Sequence, residues 1–421
     1  MNNDINEHII IRNSSNKSFV FYRNDENKLI FQEEKVDERD IIDFSMAIDK
    51  DDKIHLIYLL GNGELMYGIY VDGIWKKNLV LKLNTKSNIY KYLNLLIHED
   101  HINIFYAFSN LINTNLWTIE HIFKDVMQWR KKTVVNIYTE KKFKPFFMDN
   151  DKLGNISLIY RAQEYTAEHI YYLNYNIFIK EWSKNSAKIS YSEADNIYPY
   201  LFIDRKDNIH VLWYSLDKDQ HYITYKRLSQ TGRNKYHWVE VQIPKIPCAN
   251  YYPIISQKED KLNIICIAED EMTSLSSKNY GLNWNLENKI LVKDQKFHLI
   301  KYISNPSTND DGKKNHFYGD INENGHFYYD ENLNKMIMTT ANDLEINNSD
   351  KLDNETVENN QQEDLKAQQV ENTSINGEGL TELKELKDMV HELRGELESL
   401  KESVSNIEKK QKAKRRFFNM K

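Results

Sequence analysis

Cysteine is scarce in this chain: Cys248 and Cys266 are the two in 421 residues. Two thiols cannot build a disulfide framework, so reduced side chains in a reducing compartment are expected. A secretory signal is also missing. The opening MNNDINEH is polar and acidic and offers neither a basic start nor an apolar core. No window approaches about 18 consecutive apolar residues, the length a membrane-crossing helix needs. These absences predict a cytoplasmic protein, with association to a surface layer as the alternative. An excess of positive charge is absent too. The formal net charge is −7, which argues against nucleic acid as a partner. No glycine-rich phosphate loop occurs; Gly61-Asn62-Gly63-Glu64 carries hairpin-turn chemistry instead. No His/Cys cluster has metal-ligand spacing and neither cysteine neighbours a histidine in sequence, so no metal, cofactor or thiol nucleophile is expected.

Aromatic residues are missing from one part of the chain only. Of 51 Phe, Trp and Tyr residues, 49 lie at or before Tyr329, and the other two are Phe417 and Phe418. An aromatic-rich core therefore ends near residue 330 to 340. Inside it a short β-branched run recurs as Ile54–Tyr58, Ile102–Tyr106, Ile156–Tyr160, Ile209–Trp213 and Leu262–Cys266, with starts 48, 54, 53 and 53 residues apart. Each reads as a buried strand after an Asp/Asn/Lys turn. A second run follows a polar loop at Leu65–Tyr67, Leu116–Thr118, Ile170–Tyr172 and Ile223–Tyr225. A single tryptophan comes next, at Trp75, Trp129, Trp182, Trp238 and Trp284. Ahead of each run, Lys91, Pro145, Pro199 and Pro253 stand 54 apart with aromatic neighbours.

Four registers in step imply four short strands per unit, A to D, in about 50 residues: the blade of a β-propeller. The period-2 patterning excludes a helical solenoid. Ser18–Tyr22 with Leu29–Phe31 reads as strands B and C of a first blade. Phe297–Ile303, Asn315–Ile321, His326–Tyr329 and Met336–Thr340 read as a last one. The expectation is an all-β, seven-bladed propeller over residues 1–340, or six blades if the first unit completes the last. The recurring tryptophan is a packing anchor, since burying one is worth roughly 4–6 kcal/mol as an upper estimate.

In the sixth unit the tryptophan closes Ser277-Lys278-Asn279-Tyr280-Gly281-Leu282-Asn283-Trp284. This resembles the Asp-box of sialidase-like propellers, Ser-x-Asp-x-Gly-x-x-Trp, with Asn279 in place of Asp. Asp72-Gly73-Ile74-Trp75 is a shortened echo between strands C and D of the second unit. The resemblance implies a structural turn whose polar side chain caps the backbone while the tryptophan packs between sheets. It also implies a site in which three arginines hold a carboxylate, beside a tyrosine–glutamate pair and an aspartate. The sequence departs from that site: no arginine falls within the first five residues of any expected A strand. Arg205 comes at the far end of one and Arg161 after a B strand.

The best binding candidates are the loops leading into the A strands, which ring the channel mouth of a propeller. They carry Tyr90, Tyr92, Phe146, Tyr198, Tyr200, Tyr251 and Tyr252. Such side chains can stack on sugar rings or grip a peptide, or else pack between blades. His55 and His210 occupy equivalent B-strand positions filled by Asn103 and Ser157 elsewhere, which marks a polar strand position and not a metal site.

Residues 341–376 hold nine acids, two lysines and no aromatic, and read as a disordered linker. Over 377–412 the pattern changes. Leu383, Leu386, Val390, Leu393, Leu397, Leu400, Val404 and Ile407 alternate spacings of three and four, the a and d positions of four heptads. A coiled coil of two or three copies is expected, with one helix docked on the propeller as the alternative. The tail 413–421, with the lysines just before it, is basic and could touch an anionic surface. The whole reads as a non-enzymatic, multivalent binding or scaffold protein for a carbohydrate or protein ligand. The alternative is a glycan-cleaving hydrolase, which needs two convergent carboxyl groups.

Overall fold

The computed structural model describes residues 8–319 apart from 25, 33, 126–127, 143–145, 192–193, 218–219, 231–234, 247–250, 269–270, 292–297 and 308–311. These belong to the first of two units, residues 1–350 and 351–421. The linker, the heptad positions Leu383 to Ile407 and the basic tail lie outside the described residues, as do His326–Tyr329 and Met336–Thr340.

Each β-branched run becomes a strand, and those from Ile54, Ile102, Ile156 and Ile209 are buried on both faces. Ile54–Leu60 is buried at every position, because the sheet that contains it is covered by a blade on either side. Five sheets follow the A-B-C-D order from the inside out. Blade one comprises Ile41–Ile48, Ile54–Leu60, Glu64–Val71 and Ile74–Lys82. Blade two comprises Asn88–His98, His101–Asn110, Leu116–Asp125 and Gln128–Tyr138. Blade three has Phe147–Asn150, Ile156–Glu164 and Ala167–Asn176, with Glu181–Trp182 and Ala187–Lys188 sharing its outer edge. Blade four has Asp195–Ile203, Ile209–Asp217, Gln220–Leu228 and Trp238–Glu240. Blade five has Ile254–Lys258, Lys261–Ala268, Glu271–Ser277 and Asn285–Leu291.

The sixth sheet joins the two ends of the described chain. From the inside out it runs His316–Gly319, His298–Ser304, His8–Arg12, Ser18–Arg23, Leu29–Phe31 and Glu34–Lys35. Ser18–Tyr22 and Leu29–Phe31 are therefore B and C strands, as expected. Among the described residues no seventh sheet forms and the propeller has six blades, the alternative in which the first unit completes the last. His298–Ser304 pairs parallel with His8–Arg12, Ile9 opposite Lys301 through Arg12 opposite Ser304. The apolar A strand His8–Arg12 would otherwise leave buried backbone groups without partners on its inner side. The last unit supplies that partner instead of building its own sheet.

The last unit also sends a strand into the channel. His316–Gly319 lies antiparallel to His298–Ser304, with Lys301 opposite His316 and His298 opposite Gly319. Just before it, Gly312–Lys314 pairs with the end of the blade-five A strand, Ser256–Lys258. Residues 312–319 thus run along the inner edges of blades five and six, from the A–B turns to the face where the A strands begin.

Blades pack through one repeated contact. Each D-strand tryptophan meets, edge to face, a C-strand ring of the preceding blade. Trp129 lies 5.7 Å from Tyr67, Trp182 5.8 Å from His121, Trp238 5.2 Å from Tyr172, Trp284 5.3 Å from Tyr225 and Trp75 6.0 Å from Phe31. Edge-on pairs are worth about 0.5–1.5 kcal/mol beyond their burial. The tryptophans are structural anchors.

Candidate functional site

The A–B turns share a five-residue chemistry: Asp49–Lys53 (DKDDK), Asp151–Asn155 (DKLGN) and Asp204–Asn208 (DRKDN). The first carboxylate of each accepts two backbone N–H groups. Asp49 takes those of Asp51 and Lys53, both at 2.9 Å. Asp151 takes those of Leu153 and Asn155 at 3.0 and 2.8 Å, and Asp204 those of Lys206 and Asn208 at 2.7 and 2.9 Å. The fourth residue adopts positive φ, 60° at Asp52, 84° at Gly154 and 61° at Asp207. A tight turn followed by a left-handed residue closes each hairpin. Lys152 N–H donates to Asp207 at 3.0 Å, so neighbouring turns are joined.

These turns rim a cavity of about 810 Å³ whose walls are the lower halves of the A strands and the inserted segment. Asp149 is its hub. It accepts from Ile203 N–H at 2.8 Å, Lys313 Nζ at 3.0 Å and Asn315 Nδ2 at 2.9 Å. One carboxylate therefore links blade three, blade four and the inserted strand. On the blade-six side Lys301 Nζ donates to Ser45 Oγ at 2.9 Å. Burial pushes the Lys301 ammonium down to about 8, with Asp43 opposing the shift. Burial, helped by Lys301, pushes His316 down to about 3. His316 Nδ1 lies 3.1 Å from the Tyr200 hydroxyl.

The aromatic candidates divide into two groups. Tyr92 and Phe146 line the cavity. Tyr92 sits at φ 60° beside a register shift in its strand, and such bulges re-aim side chains toward sites. The others do not ring an open mouth, because the inserted strand occupies the channel there. Tyr200 is fully buried, and the Tyr252 carbonyl accepts the Tyr318 hydroxyl at 2.7 Å. Tyr251 packs edge-on to Tyr318 at 5.8 Å, and Tyr198 stacks edge-on to Tyr252 at 4.9 Å. Tyr90 is buried against Tyr106 and Phe108. Four of the seven therefore seat the protein's own strand directly or through a neighbour.

The equivalent histidines are hydrogen-bond relays. His55 joins Tyr67 at 2.6 Å to Asp49 at 3.2 Å, and His210 joins Tyr225 at 2.7 Å to Asp204 at 3.0 Å. Burial opposes ionisation of Asp204, but bonds from His210 and Asn208 outweigh it and hold the carboxyl below its usual range. The box-like turn forms beside the second relay. Ser277 Oγ accepts Gly281 N–H at 2.9 Å, Asn279 Oδ1 accepts Asn283 N–H at 2.9 Å, and Trp284 is buried. Among the described residues no group of three or more His, Cys, Asp or Glu is placed to hold a metal ion, and no helix is long and apolar enough to cross a membrane.

Asp149, Lys301 and His316 were not singled out in the sequence. Lys301 and His316 stand in the broken last unit, and Asp149 fills an A-strand position that holds Leu95, Ile203 and Gln257 in other blades, so the repeat does not mark it. The five-residue turns were the available signal, since their Asp-x-x-Asp/Gly spacing recurs with the blades.

No family model and no curated protein matches the chain. Solved structures similar to it include the fucose-specific lectin from Aleuria aurantia, 11% identical, covering 69% of this chain and 97% of that one, with TM-score 0.39. A polysaccharide lyase is 10% identical over 67% and 81%, with TM-score 0.44. An α-L-arabinofuranosidase of Fusarium graminearum is 11% identical over 66% and 92%, with TM-score 0.41. At these values the likeness carries no site or activity over to this chain.

Proposed function

We propose that this chain is a non-enzymatic, multivalent binding protein whose propeller takes a carbohydrate ligand. The observation that carries the reading is the cavity of about 810 Å³, within the usual range of about 300–1,000 Å³ for small-ligand sites. Carboxylates, amides and lysines alternate around it at the spacing of the A–B turns, and Tyr92 and Phe146 give it apolar surface. Hydroxyl-rich rings suit such a wall, because each hydroxyl both donates and accepts. Asp49, Asp149 and Asp204 are each committed to backbone or cation partners. That favours a binding wall over an acid–base pair. The similarity of Ser277–Trp284 to the Asp-box adds a sialidase-like ancestry without the sialidase arginines.

Multivalency rests on the heptads. Leu383 to Ile407 would join two or three propellers on the acidic linker, and avidity then strengthens weak sites without new contacts. The basic tail would add contact with an anionic surface, and the protein would act in the cytoplasm or on a surface layer. A glycan array with the full chain, beside hydrolysis of generic glycosides, tests the reading. Binding without turnover is expected; turnover abolished by one acidic substitution overturns it. Light scattering should give a dimer or trimer that the double substitution Leu393→Lys and Leu400→Lys reduces to monomer.

A further inference from the structure

The cavity wall holds a cation without a counterion. Lys301 Nζ donates to Ser45 Oγ at 2.9 Å and lies 3.5 Å from Asn94 Oδ1, both neutral. It makes no ion pair among the described residues, whereas Lys53 and Lys313 of the same wall do. The acid that it feels, Asp43, is turned to the backbone, accepting from Leu93 and Phe44 N–H at 2.8 Å each. Directly across the strand pair stands His316. Its Nδ1 pairs with the Tyr200 hydroxyl at 3.1 Å, and in the tautomer whose ring proton is on Nε2 the imidazole is a second, neutral donor. Both residues line the cavity. A buried ammonium is stable when a negative partner and hydrogen bonds compensate its lost hydration, and here the hydrogen bonds are present without the partner.

We propose that Lys301 and His316 form the recognition point for one monoanionic group, a carboxylate or sulfate ester borne on a saccharide. The preferred ligand is then an acidic sugar. A single ammonium beside a neutral donor matches one negative charge. The inference rests on the carbohydrate-binding reading, and its test separates the two.

The experiment is calorimetric titration of the full chain with glucuronate, glucose 6-sulfate, glucose and sodium acetate, alongside thermal unfolding with and without each. The wild type should bind glucuronate or the sulfate ester about tenfold more tightly than glucose, the effect of one charge-assisted bond. Lys301→Met should keep the fold and lose that preference, while Lys301→Arg retains it. His316→Gln, which conserves one donor, should weaken the preference and serves if Lys301→Met does not fold. Equal affinity for glucose and the acidic sugars overturns the anion site and leaves the binding reading standing. A rise in melting temperature with acetate, in wild type but not in Lys301→Met and with no sugar binding, supports the anion site and overturns the carbohydrate reading. No response to any of the four overturns both.

Discussion

Replacing Asp149 by alanine tests whether residues 312–319 are a structural part of the propeller or a loosely held passenger. The side chain is 7% exposed and accepts from Ile203 N–H, Asn150 N–H, Lys313 Nζ and Asn315 Nδ2. Hydrogen bonds to a charged group contribute about 1.5–3 kcal/mol each. Stripping the partner from a buried pair costs about 3–5 kcal/mol, because the remaining groups lose hydration without compensation. Lys313 is 28% exposed, so solvent recovers part of its share. Asp149→Ala should therefore cost about 3–5 kcal/mol in urea unfolding. Asp149→Asn, which keeps an acceptor for Ile203 N–H, should cost about 1–2, and Lys313→Met at most about 1. Hydrogen exchange supplies the spatial readout. Amides of 316–319 should exchange far faster in Asp149→Ala, while those of Ile54–Leu60 change only by the global loss. A cost below about 1 kcal/mol, or uniform acceleration across blades, refutes the argument that this carboxylate holds the strand.

Four further substitutions and a pH series probe the frame around the site. Gly281 has φ 81°, and a Cβ there would sit 2.0 Å from the Tyr225 hydroxyl; Gly73 has the same φ but open space. Gly281→Ala should thus cost about 2–4 kcal/mol and Gly73→Ala about 1, compared by denaturant midpoint. Trp284→Ala removes a side chain 6% exposed and should cost about 3–5 kcal/mol. Trp284→Phe, which keeps an aromatic ring on Tyr225, should cost less. Burial holds both His121 and His316 near 3 in the fold, well below the ordinary 6.5. As pH falls below 6.5 the unfolded chain takes up protons that the fold refuses, so stability should drop by about 1.4 kcal/mol per pH unit for each. Chemical unfolding at pH 7.5, 6 and 5 checks this, and rising stability over that range contradicts it.

The blade was legible because its period is imposed by packing. Ile54, Ile102, Ile156, Ile209 and Leu262 start strands that must each be apolar on both faces, and each tryptophan must reach the ring of the blade before it. Such constraints act on every unit, so they leave a pattern. The number of blades was not legible, because closure happens once. Whether His298–Ser304 starts a seventh sheet or joins His8–Arg12 depends on a parallel pairing across nearly 300 residues, and nothing local in HLIKYIS distinguishes the two. Aromatic residues at the A-strand starts were legible as a cluster, but what they pack against was not. Tyr200, Tyr251 and Tyr252 do grip an extended peptide, and it is the chain itself. Lys301 and His316 were invisible for the same cause, since they become neighbours only when the strand is inserted.

That dependence ties the cavity to the strand. Gly312 to His316 form part of the cavity wall, and Lys301 meets His316 through the pairing that seats the strand. A ligand held by both residues binds the inserted state and not the withdrawn one. At a hundred times its dissociation constant it would add about 2.7 kcal/mol to insertion. By reciprocity, any force that withdraws residues 312–319 weakens the site by the same factor. The strand runs toward the face where the A strands begin, antiparallel to the blade-five A strand and to His298–Ser304. Ligand occupancy and insertion of residues 312–319 are in this way two readouts of one equilibrium.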